Sequence, residues 1–185
     1  MVTMRFLDAG ESHGPGMVTV VEGIPAGLEV NRSFIEKELA RRRAGHGRGG
    51  RMAMEEDRVE ILSGVRLGRS LGSPIALVVR NRDHRNWERV MAPEKKEQAA
   101  EPRPDTLPRP GHADLAGALK LGTRDIRDIL ERASARETVG RVCAGALAKL
   151  LLGEVGIEVG SHVLQVGRVR AGQRSPLLPR DLQEA

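Results

Sequence analysis

A histidine beside a permanent cation stands in the second half of the chain. His112 follows Arg109, Pro110 and Gly111, so its imidazole lies on a short, stiff turn next to a guanidinium group. An imidazole gains and loses a proton near neutral pH, and catalytic proton transfer requires that property. The segment therefore predicts a proton donor or acceptor at His112.

A second chemical pattern lies further along, where Ser134 stands three residues before Glu137 and ahead of an apolar run at helical spacing. This is the pattern of a capping box that opens an amphipathic helix. Backbone N–H groups, the helix dipole and the flanking Arg132 and Arg136 would together bind a phosphate-bearing ligand. A cap without a ligand is the more common meaning of this spacing when it stands alone.

Glycines surround a third candidate, His13, in the sequence GESHGPG at 10–16. Glycine lets a backbone approach a ligand closely, and the side chains of such a loop are accessible. His13 would act there as a general acid, although a loop histidine is more often simply solvated.

Basic residues are concentrated in one stretch, which contains Arg41, Arg42, Arg43, His46, Arg48 and Arg51. The first three end a predicted helix, where cations are favourable against the helix dipole. Arginines on a glycine-rich loop are also a common way of binding phosphate or diphosphate groups. The stretch therefore predicts an anion site or, as a rival, a nucleic-acid-binding surface.

Length and composition limit the classes of protein that remain. The 185 residues, 39% of them hydrophobic, suit a single domain over 1–185. No apolar run approaches the ~20 residues of a membrane span, and the N-terminus lacks the apolar region of a signal peptide, so we expect a soluble, cytoplasmic protein. The single cysteine, Cys143, excludes a disulfide framework and a cysteine-based metal site within one chain, and we expect it in the core.

The net charge of +5 favours anionic partners. Aromatic residues make up only 2% of the chain, and tyrosine is absent, so the stacking surfaces that bind single-stranded nucleic acid are nearly lacking. Small phosphorylated molecules explain the charge equally well. We therefore expect no nucleic acid among the partners.

Hydrophobic periodicity predicts the elements that position these residues. Strands are predicted at Met17–Val21, Arg58–Ser63, Pro74–Val79 and Glu158–Val166. Helices are predicted at Asn31–Arg43, from Asp114 to Gly122, and from Glu137 to about Gly153. Ser33 with Glu36 forms a further capping box, and Asp114 would cap its own helix. A flexible loop is expected over about 83–108, and it leaves Asp83, His84 and Trp87 without a role.

Three longer segments closely resemble the chorismate synthase family: GESHG at 10–14 followed by EGIPAG at 22–27, RPGHAD at 109–114, and ERASARETVGRVCAGALA at 131–148. RRRAGHGRGGRM at 41–52 and ILSG at 61–64 are also similar to it. The resemblance covers essentially the whole chain. Members of the family are about twice this long, so the chain resembles their N-terminal portion.

The resemblance implies a carbon–oxygen lyase of the shikimate pathway of aromatic amino acid biosynthesis. Such enzymes remove phosphate from 5-enolpyruvylshikimate-3-phosphate in a 1,4-anti elimination and give chorismate. They need reduced FMN although no net redox change occurs, and NADPH is the expected reductant.

Residue roles follow from the same resemblance. His13 would be the acid that assists the departing phosphate, and His112 would protonate or hold the N1 side of the reduced flavin. Arg42 and Arg48 match positions that bind NADPH or the substrate phosphate. Flavin contacts are implied for Arg132, Ala133 and Ser134. No metal is implied.

The fold implied is an α/β sandwich with antiparallel sheets inside and helices outside, assembled as a homotetramer. Flavin-contacting residues and a carboxylate of the family's C-terminal half have no counterpart here. We therefore expect residues 1–185 alone to be inactive and prone to aggregate, with an apolar sheet face or edge uncovered.

Overall fold

A four-stranded antiparallel sheet is the centre of the computed structural model, which describes residues 3–44, 55–94 and 103–171. Along the chain the strands are β1 (Arg5–Ala9), β2 (Gly16–Glu22), β3 (Val59–Ser63), β4 (Val65–Arg66), β5 (Arg69–Ser70), β6 (Ile75–Arg80), β7 (Gln165–Val166) and β8 (Val169–Arg170). The sheet has the order β1-β2-β6-β3, and β4 with β5 and β7 with β8 form two small antiparallel pairs. The glycine-rich loop that contains His13 is the connection between β1 and β2.

Within the described residues, four α-helices accompany the sheet: α1 (Arg32–Arg43), α2 (Asp114–Leu121), α3 (Arg127–Arg132) and α4 (Thr138–Gly153). The side chains of α1 and α4 pack with one face of the sheet, because strand alternation places one apolar row of each central strand on that side. The main contributors to this core are Met17, Val21, Ile35, Leu39, Val59, Ile75, Leu77, Val79, Val139, Cys143 and Leu147. Burial raises the pKa of the Cys143 thiol to about 12, as expected for a core cysteine.

Close packing brings the start of α4 onto the first two strands. A Cβ atom at Gly140 would lie 2.8 Å from Cβ of Asp8 and 3.2 Å from Oγ1 of Thr19. Only glycine allows this approach without displacement of its neighbours. The residues just before α4 therefore lie beside the β1–β2 loop.

The other face of the sheet has an exposed apolar pair. Leu7 and Val20 are direct partners across β1 and β2, with exposed fractions of 72% and 36%. Among the described residues, no helix is long and apolar enough to cross a membrane.

Most of the predicted elements are confirmed, namely the strands near 17–21, 58–63 and 74–79 and the helices near 31–43, 114–121 and 137–153. β1 and α3 were not predicted. The strand predicted at Glu158–Val166 is wrong except for its last two residues, because residues 158–164 are exposed and belong to no strand.

Two predicted helix caps are also wrong. Asn31 caps α1, since its Oδ1 accepts a hydrogen bond from the backbone N–H of Phe34 at 3.1 Å, and Ser33 lies inside the helix. Asp114 is the first residue of α2, and its carboxylate binds Arg109 instead. The segment predicted as a flexible loop begins with a 3₁₀ helix, Arg82–Asn86.

Candidate active site

His13 is held by a glutamate that is remote in sequence. Its Nδ1 lies 2.9 Å from Oε1 and 3.2 Å from Oε2 of Glu131, and its backbone N–H donates to Oε2 at 2.7 Å. The imidazole also packs against the indole of Trp87, with 4.1 Å between the ring centroids. On the other side of the ring, Nε2 lies 4.0 Å from Oδ2 of Asp83. Glu131 and Trp87 therefore fix the position of the imidazole.

Glu131 is almost completely buried, with 3% of its surface exposed. A buried carboxylate requires compensating partners, and Arg127 supplies a permanent cation with Nη1 at 3.1 Å from Oε1. The guanidinium of Arg127 lies over the ring of Trp87, 4.9 Å from its centroid. This geometry is that of a cation–π contact. Glu131 and Trp87 thus contact His13, and Arg127 packs against both of them.

The β1–β2 loop is also joined to the segment before α4. Ser12 donates from Oγ to Oγ of Ser134 at 3.0 Å and from its backbone N–H to the carbonyl of Glu131 at 3.0 Å. Arg132 donates to the carbonyl of Gly10 at 2.6 Å and lies 3.5 Å from Asp8. Its side chain remains 41% exposed, so it can also contact a ligand.

The Ser134 cap is present in a different form from the predicted box. Ser134 accepts from the backbone N–H of Arg136 at 3.2 Å and opens a 3₁₀ turn, Ala135–Glu137, ahead of α4. The carboxylate of Glu137 pairs with Arg141 at 3.1 Å. Ala133 follows the last residue of α3, and its N–H donates to the carbonyl of Ile129 at 2.9 Å.

The side chain of Asn81 holds the backbone of the β1–β2 loop in place. Its Nδ2 donates to the carbonyl oxygens of Glu11, Ser12 and Gly14 at 3.0, 3.2 and 2.8 Å. Its Oδ1 accepts from Nε of Arg136 at 2.8 Å. Asparagine suits this place because one amide both donates and accepts.

Arg136 and Arg42 are parts of a buried ionic cluster around Asp57. Arg136 forms a short ion pair with Asp57, and Arg42 donates to the other carboxylate oxygen at 2.8 Å. Burial acts to raise the pKa of Asp57, but the hydrogen bonds and charges of the two arginines outweigh it and lower that pKa. Arg136 is only 6% exposed. It supports the loop through Asn81 and does not flank a surface phosphate site, so that expectation is wrong.

His112 belongs to a second cluster, at the start of α2. Its Nδ1 lies 2.7 Å from Oδ1 of Asp114, and the guanidinium of Arg109 lies against the ring with one Nη 3.0 Å from Nδ1. Hydrogen bonds from Arg109 outweigh burial and hold the pKa of Asp114 well below its usual range. The same Arg109 nitrogen lies 3.2 Å from Nε2, so both ring nitrogens of His112 have a partner within the cluster.

The two histidine clusters are linked through the helices that contain them. α2 packs on α3, where a Cβ atom at Gly117 would lie 2.6 Å from the side chain of Ile129. α3 also contains Glu131, the partner of His13. The structure thus brings the loop that contains His13 together with Arg132 and Ser134, and places His112 just before α2, the neighbouring helix. Arg48 lies outside the described residues.

A cleft of about 940 Å³ opens beside Glu131. This volume lies within the ~300–1,000 Å³ of small-molecule sites. Residues from three parts of the chain line it, among them Glu11, Trp87, Arg89, Arg127, Glu131 and Arg132. The mixture of guanidinium groups and an aromatic ring suits an anionic ligand with a planar ring. Over 3–44, 55–94 and 103–171 we find no cluster of three His, Cys, Asp or Glu residues that could hold a metal ion.

Sequence reasoning missed Glu131 and Asn81, and it left Trp87 without a role. Glu131 immediately precedes the Arg132–Ser134 segment, but nothing in the sequence around it indicates a contact with His13. Asn81 follows a buried strand, a place where polar side chains often serve sites, and this was an available signal.

Known proteins resemble this chain over nearly its full length. The family model described as chorismate synthase matches residues 4–184. The chorismate synthase of Geobacillus thermodenitrificans (strain NG80-2) is 60% identical over 169 residues, which are 91% of this chain and 44% of that protein. The chorismate synthase of Desulforudis audaxviator (strain MP104C) is 54% identical over 182 residues, or 98% of this chain and 46% of that protein.

A solved structure gives the same result for the fold. A structure titled "Crystal Structure of Chorismate Synthase" aligns with a TM-score of 0.66 and 45% identity, over 91% of this chain and 40% of that one. The α/β fold expected from the sequence is thereby confirmed. The chain spans about half the length of the curated relatives that it matches.

Proposed function

The chain belongs to the chorismate synthase family, and from this membership we propose that it takes part in the conversion of 5-enolpyruvylshikimate-3-phosphate to chorismate. The reaction is a 1,4-anti elimination, in which the C–O bond to phosphate breaks and a proton leaves C6. It is a carbon–oxygen lyase reaction of aromatic amino acid biosynthesis. It needs an acid near the phosphate and an acceptor for the C6 proton.

The observation that supports this proposal most strongly is the fixed position of His13 between Glu131 and Trp87. An imidazolium whose Nδ1–H donates to a carboxylate can deliver its second proton from Nε2. His13 would therefore donate a proton to the departing phosphate. The nearby guanidinium of Arg132 would attract and orient an anionic ligand.

Reduced FMN, when bound, would lend electron density to the substrate as phosphate leaves and help to take up the C6 proton. The residues fit such a group in charge and shape. Arg132 is half-exposed beside a cleft of about 940 Å³ that Trp87 also lines. Arg132, Ala133 and Ser134 would hold the flavin, and His112 would protonate or hold its N1 side.

NADPH or the substrate phosphate remains the proposed ligand of Arg42 and Arg48. The guanidinium of Arg42 is 7% exposed and paired with Asp57. Contact with a ligand would therefore require the side chain to exchange that carboxylate for a phosphate.

A basic nucleic-acid-binding surface around residues 41–51 is the rival function. The structure weakens its basis, because Arg41 pairs with Glu38 at 2.8 Å and both Arg42 and Arg43 lie beside Asp57. An inactive fragment of the enzyme is the other alternative, and a direct assay separates it from an active protein.

The test is an anaerobic assay of chorismate formation with reduced FMN and the phosphorylated substrate. Titration should show tight binding of FMN when the substrate is present. A parallel titration with RNA at low and high salt tests the rival, which predicts binding that falls steeply with salt. Salt-sensitive RNA binding without flavin or substrate binding would contradict the proposed function.

We further propose a cytoplasmic homotetramer as the working state. Sedimentation velocity at several protein concentrations checks the assembly, and a monomer at all concentrations would contradict it.

A further inference from the structure

Glu131 contacts both the backbone and the imidazole of His13, whereas an ion pair would involve the side chains alone. One carboxylate oxygen accepts the backbone N–H of His13 at 2.7 Å, and the other lies 2.9 Å from Nδ1 of the same residue. The backbone carbonyl of Glu131 accepts from Ser12 as well, at 3.0 Å. One buried residue thus fixes both the loop and the orientation of the ring.

The chemistry of the two ring nitrogens follows from their unequal surroundings. Nδ1 is within hydrogen-bonding distance of a group that only accepts, so it must bear a hydrogen. Nε2 lies 4.0 Å from the carboxylate of Asp83, beyond the range of a hydrogen bond. Glu131, and not Asp83, therefore selects the tautomer of the neutral ring.

Arg127 explains how this carboxylate can be buried. Its guanidinium always bears a positive charge and lies 3.1 Å from Oε1 of Glu131. The same guanidinium packs over Trp87, which contacts the imidazole of His13. The cation thus compensates Glu131 while the indole keeps the ring from turning.

We propose that Glu131 is the positioning residue of His13: it holds the hydrogen on Nδ1, so that the doubly protonated ring gives the departing phosphate its other proton, the one on Nε2, and is left as the neutral Nδ1–H tautomer. The proton delivery rests on the proposed function. The tautomer of His13 rests on the geometry alone. The proton that Nε2 gives up in the elimination returns to it from solvent, so the step is balanced over one turnover.

The tautomer can be measured without substrate or flavin. Histidine-selective ¹⁵N labelling distinguishes a protonated Nδ1 from a protonated Nε2, and a spectrum of His13→Asn assigns the signals of His13. Above the pH at which the ring becomes neutral, we expect the Nδ1–H tautomer in the unaltered protein. In Glu131→Gln the amide can donate as well as accept, so the Nε2–H form should appear.

Turnover gives the second readout. Glu131→Gln should lower kcat roughly 10-fold or more while KM changes by less than ~3-fold, because a misdirected acid affects the chemical step and not substrate binding. Glu60→Gln is the matched control, since Glu60 is also paired with an arginine, Arg80 at 3.3 Å, but on the edge strand β3. Its tautomer spectrum and kcat should equal those of the unaltered protein.

An Nε2–H tautomer of His13 in the unaltered protein would overturn the proposal. So would a folded Glu131→Gln variant with unchanged tautomer and unchanged kcat. If that variant does not fold, the spectrum of the unaltered protein decides alone. Normal turnover of His13→Ala would instead remove His13 from the proposed reaction, and the ring spectrum would still show whether Glu131 sets the tautomer.

Discussion

The guanidinium of Arg136 donates from Nε to the amide oxygen of Asn81 across 2.8 Å, and both side chains are buried. The amide nitrogen of Asn81 is thereby turned toward three carbonyl oxygens of the loop that contains His13. The position of His13, the candidate acid, thus depends on the amide of Asn81, which binds the backbone on both sides of it.

Replacement of that amide should disturb both stability and turnover. We expect Asn81→Ala to lower the free energy of unfolding by about 1–3 kcal/mol, because buried donors and acceptors lose their partners. Turnover should also fall, since the loop loses three hydrogen bonds. Urea unfolding and the anaerobic assay measure the two effects.

Asn31→Ala is the control for Asn81→Ala. It removes the cap of α1 at a cost of about 1 kcal/mol and should leave kcat unchanged. Equal kcat values in the two variants would show that the loop does not depend on Asn81.

The histidines offer a direct test of proton transfer. His13→Ala and His112→Ala should each lower kcat by ~100-fold or more while folding and ligand binding remain nearly intact. His162→Ala, at an exposed position, is the control and should keep full activity. Near-normal turnover in both test variants would contradict an acid–base role for either residue.

Arg132 and Ser134 separate ligand binding from stability. Arg132→Ala should weaken the affinity for FMN or substrate with little change in Tm, because its side chain is half-exposed at the cleft. Ser134→Ala should cost about 1 kcal/mol of stability through loss of its cap. Arg141→Ala removes an exposed guanidinium on α4 and should change neither quantity. Unchanged ligand affinity in Arg132→Ala would refute the binding role.

Acid should weaken the cluster at the start of α2. The pKa of Asp114 in the folded chain is held below the ~3.9 of an unperturbed aspartate. The stabilisation from its ionised form is therefore complete above about pH 5 and is lost as pH falls through the lower, folded-state pKa. Urea midpoints between pH 7 and pH 3 should fall less steeply in Asp114→Asn than in the unaltered protein. Parallel curves would contradict this assignment.

Local patterns in the sequence were sufficient to predict much of the fold. The apolar spacing of α4 and the alternation of β2 are set by neighbours in the chain, so periodicity predicts them. β1 was missed because its short, mostly exposed sequence gains its strand conformation from pairing with β2.

The candidate site was predictable only in part. His13 and His112 lie on loops, and the glycine and proline residues beside them indicate these loops in the sequence. The contact between His13 and Glu131 spans 118 positions, and the pair of Arg136 and Asp57 spans 79. No local pattern encodes such contacts, so Glu131 went unnoticed and Arg136 was mistaken for a surface cation.

These sequence separations have a consequence for the order of folding. The bond between Ser12 and Ser134 closes a loop of 122 positions, and Asn81 reaches the β1–β2 loop across about 70. Contacts of high sequence separation must overcome a large closure entropy before they stabilise the chain. The loop of His13 should therefore remain unordered until β6 has joined the sheet and α4 has docked. The candidate site would then form as one of the last events of folding.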